Sequence, residues 1–284
     1  MLRPEIGRAV DFARPPGEPA LVGPDSVAWQ VFRNPVALLV GGITAVLLEL
    51  GEPRVRTGVW EHTSFRTDPL GRMERTGLAA MITVYAARSV AEQMIAGVRR
   101  LHERVYGVTP AGVPYRASDP ELLDWVQATA SFGFLAAYQA FVRPLDAAAC
   151  DRFYAEGREA ARLYGATGAP TSEAELEALF ATMRPKLERS EIVFEFLAIL
   201  ERTPILPGPL ARLQAPLIRA AVDRTPVWAR ELLGLDEPRW ELHPWERRAV
   251  RSLGRLADRF VIPGSPPAEA CRRLGLSPGV LLAR

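Results

Sequence analysis

The sequence predicts an all-α fold, a single multi-helix domain. Three observations predict it. Strand alternation is nowhere sustained, helix start and stop signals recur, and apolar residues repeat at spacings of three and four along the 284 residues. With 48% hydrophobic and 24% charged residues the chain has ordinary globular composition and can bury a sizeable core.

The elements follow in order. Residues 1–29 read as an N-terminal extension, surface-wrapping or partly disordered, with five prolines in the first 25 positions and no apolar leader core. A helix is expected near 36–50, where Val36 to Leu48 is apolar almost throughout and Glu49, Gly51 and Pro53 follow. That run is shorter than the roughly 20 residues a bilayer requires, so it reads as a buried core helix. Asp68 before Pro69 is the N-cap expected for a helix over 69–86. Ser89-Val90-Ala91-Glu92 matches a capping box and starts a helix over 89–106; Gly107 stops it. Ser118-Asp119-Pro120-Glu121 matches again and starts 119–141. Helices are then expected near 146–164, stopped by Gly165, and 172–183, where Ser172 to Glu175 is a third box. Further helices follow near 190–202, before Pro204, and near 209–223, 226–233, 244–260 and 267–274. The linkers 107–117, 165–171, 203–209 and 261–267 are short and rich in proline and glycine. The main helical domain is read over 30–264, and 265–284 as a C-terminal helical tail.

Charge and rare residues exclude several functions. Thirty-five basic against 33 acidic residues leave +2, too balanced for a nucleic-acid binder that works by counterion release. Only one basic residue, Lys186, is a lysine. Three histidines (His62, His102, His243) and two cysteines (Cys150, Cys271) are too few for multi-histidine zinc or cysteine-rich metal sites. Two distant cysteines make no disulfide framework, so a soluble, cytoplasmic protein without stable membrane insertion is expected. The P-loop, the dinucleotide fingerprint, GxSxG, HExxH and CxxC are all missing.

Candidate chemistry concentrates between Glu49 and Trp125. On 89–106, Val90, Met94, Val98, Leu101 and Val105 form one apolar row, and Ala91, Ile95, Val98, His102 and Val105 a second. His102 thus sits on the buried stripe, either as a core histidine with satisfied nitrogens or as a ligand or catalytic group. Arg72 and Thr76 share a helix face four residues apart. They either hold an anionic group, or are a surface arginine beside a threonine bonded to its own helix. Trp60-Glu61-His62-Thr63-Ser64-Phe65 sets an acid, an imidazole and two hydroxyls between aromatics. Glu61 and His62 are acid–base candidates there, or the segment is a capping loop with its polar groups satisfied locally. His243 reads as a helix-entry residue. Trp60, Phe65, Trp125, Phe132, Phe134 and Tyr138 are rings either of an apolar pocket or of the core.

Four stretches carry a resemblance. They are LLELGEPRVRTGVWEHTSFRTDPLGRMERTG, VRRLHERVYG, YRASDPELLDWVQATASFGFLAAY and FYAEGREAARLYGA. Their ordered patterns HTSF, DPxxRxxRT, RxxHxxVxG and YxAxDPxLLxWV resemble the MpaB-type, or rubber-oxygenase, catalytic-domain family over roughly residues 30 to 260. The resemblance implies a globin-like helical core that binds haem b, with iron held by His102. It places Arg72, Arg75 and Thr76 beside the cofactor, Arg75 standing where latex-clearing members carry a distal lysine. It implies a glutamate base, for which Glu61 is the first choice and Glu52 the second. Glu52 also stands where many members have a histidine before the proline. The implied function is a haem-dependent oxygenase acting with O2 on a small, apolar, unsaturated and possibly isoprenoid-like substrate, by oxidative C=C cleavage or a related oxygenation. The alternative is a non-catalytic helical protein that binds haem or a hydrophobic ligand. A homodimer stays open.

Overall fold

The structure, a computed structural model, describes residues 10–282. As expected, the chain is an all-α single domain, with one short β-ribbon. Its elements are α1 (Val27–Arg33), α2 (Pro35–Glu49), α3 (Pro53–His62), α4 (Pro69–Tyr85), α5 (Arg88–His102), β1 (Tyr106–Val108), β2 (Pro114–Arg116), α6 (Pro120–Phe141), α7 (Ala147–Glu156), α8 (Arg158–Tyr164), α9 (Glu173–Met183), α10 (Glu191–Arg202), α11 (Gln214–Arg224), α12 (Val227–Leu233), α13 (Pro244–Ala257) and α14 (Pro266–Arg273).

The core is built on α2 crossing α6. Two glycines let their backbones touch. A Cβ on Gly133 would stand 2.3 Å from the Gly41 carbonyl oxygen, and one on Gly41 2.6 Å from Phe134 Cα. Val40, Leu47 and Leu48 of α2 and Trp125, Leu135 and Phe141 of α6 are buried around that contact. Helix α11 packs on α2, where Thr44 Oγ1 donates to the Ala221 carbonyl at 3.0 Å, and α13 closes over both central helices. Among the described residues no single helix is long and apolar enough to cross a membrane. The pair α1 and α2 passes that test only together, and they meet at 94°. Asn34 makes the corner: its Oδ1 caps α2 through the Val36 and Ala37 N–H groups, and its Nδ2 donates to Gly254 O.

Local signals succeeded where a cap lies next to its helix. Asp68 caps α4 through Gly71 N–H, and Ser172 caps α9 through Glu175 N–H. Others were misassigned. Asp119, not Ser118, caps α6. Helix α5 begins at Arg88, so Ser89 is no cap; its N–H and Oγ donate to the Glu18 carboxylate of the N-terminal segment. That segment is held at its other side by Arg273, whose guanidinium donates to the Phe12 and Glu18 carbonyls. Residues 1–9 of the expected extension lie outside the described residues.

Several elements differ from expectation. Helices α1 and α3 were not anticipated. The helix expected over 89–106 stops at His102, because residues 106–116 turn into an antiparallel ribbon pairing Gly107 with Tyr115. The helix expected over 146–164 breaks at Gly157, and the one over 209–223 starts with a 3-10 turn at Gly208–Leu213. Cys150 and Cys271 are buried free thiols.

Candidate functional site

Three charged or ionisable groups from three helices converge. Glu49 ends α2, Arg72 lies in the first turns of α4, and His102 is the last residue of α5. Burial pushes the Glu49 carboxyl up from 4.5 to about 7; the Arg72 charge and the Thr129 hydroxyl oppose the shift without cancelling it. Burial lowers Arg72, opposed by Glu49. Burial also lowers His102 from 6.5, and the charge of Arg72 adds to it. All three side chains nevertheless keep part of their surface uncovered.

His102 is not a core histidine with satisfied nitrogens. Its Nδ1 is buried and has no hydrogen-bond partner among the described residues. An unpaired nitrogen on a ring that desolvation keeps neutral is free to take a further partner. The support for Glu49 is thin as well. Thr129 Oγ1 lies 3.5 Å from Glu49 Oε1 but only 3.0 Å from the carbonyls of Trp125 and Val126 in its own helix. The desolvated carboxyl therefore holds its proton near neutrality.

Arg72 and Thr76 are joined as their spacing predicts. The Arg72 guanidinium donates to Thr76 Oγ1, which in turn donates to the Arg72 carbonyl at 2.9 Å. Arg75 is turned the other way. Its Nη2 donates to Ser64 Oγ at 2.6 Å and its Nη1 to Asp68 Oδ2 at 3.2 Å, fastening the loop that leads into α4.

Glu61 and His62 fall at the end of α3, not in a loop, and are exposed. Both meet Tyr115 of β2: the phenol oxygen lies 3.2 Å from His62 Nε2 and donates to Glu61 at 3.5 Å. Burial and then the Glu61 charge raise the Tyr115 pKa. The ring fills the space that Gly58 and Gly107 leave; a Cβ on Gly107 would sit 2.8 Å from the phenol oxygen. Glu52 is committed elsewhere. Buried at 2% exposure, it caps α3 through Val55 N–H and pairs with Arg54 at 2.6 Å.

The aromatic candidates divide. Trp60 stacks toward Phe65, and Phe65 toward Phe196 at 5.0 Å, beside the α3–α4 loop. Trp125 and Phe132 pack on Phe180, and Phe134 on Phe32, as core. The apolar row of α5 is less covered than a core row. Val90, Met94, Val98 and Leu101, and Val105 just beyond the helix, are half-buried, and only Ala91 and Ile95 of α5 are fully buried. On α4, Met73, Leu78 and Met81 are likewise half-buried, packed against the edge of the core. A groove of about 750 Å³ between residues 21–23 and α7–α8, lined by Glu156 and Glu159, shares no residue with the convergent group.

Among the described residues no cluster of three or more His, Cys, Asp and Glu can hold a bare ion. An iron porphyrin brings four nitrogens of its own and needs a single neutral imidazole from the protein, which His102 offers. Sequence reasoning missed Glu49 and Thr129. Its one available signal for Glu49 was a carboxylate closing an otherwise apolar helix. A family model described as "ER-bound oxygenase mpaB/B'/Rubber oxygenase, catalytic domain" matches residues 29–262. No curated protein and no solved structure matches the chain.

Proposed function

Because the chain belongs to the mpaB/rubber-oxygenase catalytic-domain family, we propose that it is a haem b-dependent oxygenase acting with O2 on a small, apolar, unsaturated substrate. The observation that carries this reading is His102, a half-buried, neutral imidazole whose Nδ1 lacks a partner among the described residues. His102 holds the haem iron. Bound haem supplies the activation of O2 that no amino-acid side chain can perform.

The remaining chemistry belongs to this chain's own residues. Arg72 keeps a fixed positive charge beside the imidazole, which disfavours protonation of His102 and leaves its lone pair free. Through Thr76 the same guanidinium is held on one face of α4. Glu49 takes the role of proton acceptor and store. A carboxyl that titrates near 7 gives and takes a proton at neutral pH with little driving-force penalty. It displaces Glu61 and His62 from that role, since their exposed side chains face Tyr115 and water. The half-buried methionines, valines and leucines of α4 and α5 offer an apolar wall to substrate.

The test is the visible spectrum of the purified protein. A Soret band is expected, and His102→Ala abolishes it. Colourless protein from a haem-replete host, or a band unchanged in His102→Ala, overturns the reading. Oxygen-dependent turnover of an alkene separates the oxygenase from a haem-binding carrier.

A further inference from the structure

We propose that the β1–β2 ribbon is a docking element for an anionic lipid surface. The inference goes beyond the oxygenase reading and does not rest on it. The argument begins with composition. From Val105 to Tyr115 eleven consecutive residues carry no charge. A two-stranded ribbon leaves both edges open, and soluble proteins blunt such edges with charged side chains. Here three outward side chains are apolar, Tyr106 at 61% exposure, Val108 at 58% and Val113 at 47%, and the one charge on the strands is Arg116 at the end of β2, opposite Tyr106. Scattered exposed apolar residues need no explanation, but three on one projecting ribbon do.

The ribbon is built to hold these side chains out. Thr109 ties the turn: its N–H donates to the Val113 carbonyl at 2.8 Å, while its Oγ1 accepts from Val113 N–H and its carbonyl from Gly112 N–H. Tyr115, 5% exposed, anchors the base against α3. The apolar tip is thus presented by a rigid turn and a buried foot.

Charge decides what covers it. Arg99 and Arg100 in the last turn of α5, Arg104 just before β1 and Arg116 at the end of β2 are all exposed, and none forms an ion pair among the described residues. Arg116 lies over the Tyr106 ring at 5.7 Å. Two exposed carboxylates stand with these four guanidiniums, Glu103 and Glu61, the latter accepting from Tyr115 at the ribbon's foot, so the cluster keeps a net positive charge. An apolar tip inside an arginine collar matches a bilayer, with Tyr106 and the valines in the headgroup region and the guanidiniums on anionic headgroups. A protein partner would supply carboxylates to pair with the collar but would not require an uncharged tip. The ribbon follows His102 directly in the chain and touches Glu61 and His62, so docking would set this end of the molecule against a reservoir of apolar compounds.

The experiment is flotation of the full chain with vesicles of phosphatidylcholine alone and of phosphatidylcholine containing one third phosphatidylserine. Binding is expected to the phosphatidylserine vesicles and to weaken with salt. Val108→Asp with Val113→Asp should abolish it. Arg100→Glu with Arg104→Glu should lower it by about tenfold or more. As a reading independent of those variants, a fluorophore on Val113→Cys, with Cys150 and Cys271 buried, should brighten on phosphatidylserine vesicles and not on phosphatidylcholine alone. No flotation, flotation unaffected by either double variant, or an unresponsive fluorophore overturns the proposal. So does a change of oligomeric state in the valine double variant, which would assign the ribbon to a second copy of this chain.

Discussion

Glu49→Gln should make this protein more stable at alkaline pH and remove part of its pH dependence. In the folded state the carboxyl titrates at about 7, against 4.5 as its ordinary value. A raised pKa means that the native state binds the proton more tightly than the unfolded chain. Below about pH 4.5 both states are protonated and burial carries no charge penalty. As pH rises the unfolded chain ionises first, and stability falls until the buried carboxyl also ionises. At about 1.36 kcal/mol per pH unit the full loss is about 3 kcal/mol, reached above about pH 7. Glutamine keeps the volume and cannot ionise. The variant should therefore exceed the native protein by up to about 3 kcal/mol near pH 8, an increase in Tm of about 5 °C for a chain of this length. Near pH 4.5 the two should agree within about 1 kcal/mol. His102 and Glu156 also titrate across this range, so the quantity to compare is the difference between the two unfolding curves at each pH, by urea or heat. If Arg72 and Glu49 formed a stabilising ion pair instead, the substitution would cost about 3 kcal/mol or more, because it would leave a buried guanidinium unpaired. Destabilisation at pH 8, or parallel pH profiles, would refute the assignment of desolvation as the dominant effect.

Other consequences are simpler to state. With substrate, Glu49→Gln should retain the Soret band and lose turnover, while Glu61→Gln keeps both; the reverse pattern would return the proton-transfer role to Glu61. Cofactor retention should hold at neutral pH and fail only in acid, because burial and Arg72 lower the His102 pKa below 6.5; a spectrophotometric titration that loses the Soret band above pH 6.5 contradicts this. Arg75→Ala should release Ser64 and Asp68 and cost about 1 kcal/mol in urea unfolding while leaving the Soret band intact. Gly133→Ala, with a Cβ 2.3 Å from a backbone oxygen of α2, should cost about 3 kcal/mol or more and lower soluble yield; a variant of native Tm would show that α2 and α6 separate freely.

How much could be read beforehand differs from element to element. Helix α2 was visible as an apolar run and α4 through Asp68 and Pro69, because both signals act within one turn. Helix α3 carries the same kind of start, a Glu52 cap and Pro53, but its PRVRTGVWEH sequence has weak apolar periodicity and hid it. The Ser89 box failed because the competing partner, the Glu18 carboxylate, comes from a segment far away in the chain. The spacing of Arg72 and Thr76 was read correctly as a shared face, whereas nothing local indicated that Arg75, three residues on, turns back to Ser64 and Asp68.

By itself the sequence determined the helical class, the apolar identity of α2, the apolar row carrying His102 and the family to which the chain belongs. These depend on neighbours three and four positions away or on motifs in order. Only the tertiary structure decided that Glu49 faces Arg72 and Thr129, that His102 lacks a partner for Nδ1, and that Tyr106, Val108 and Val113 stay uncovered. The reason is physical. A hydrogen-bonded turn is a local event, while desolvation and Coulomb energy sum over every group that surrounds a side chain, from whatever part of the chain those groups come.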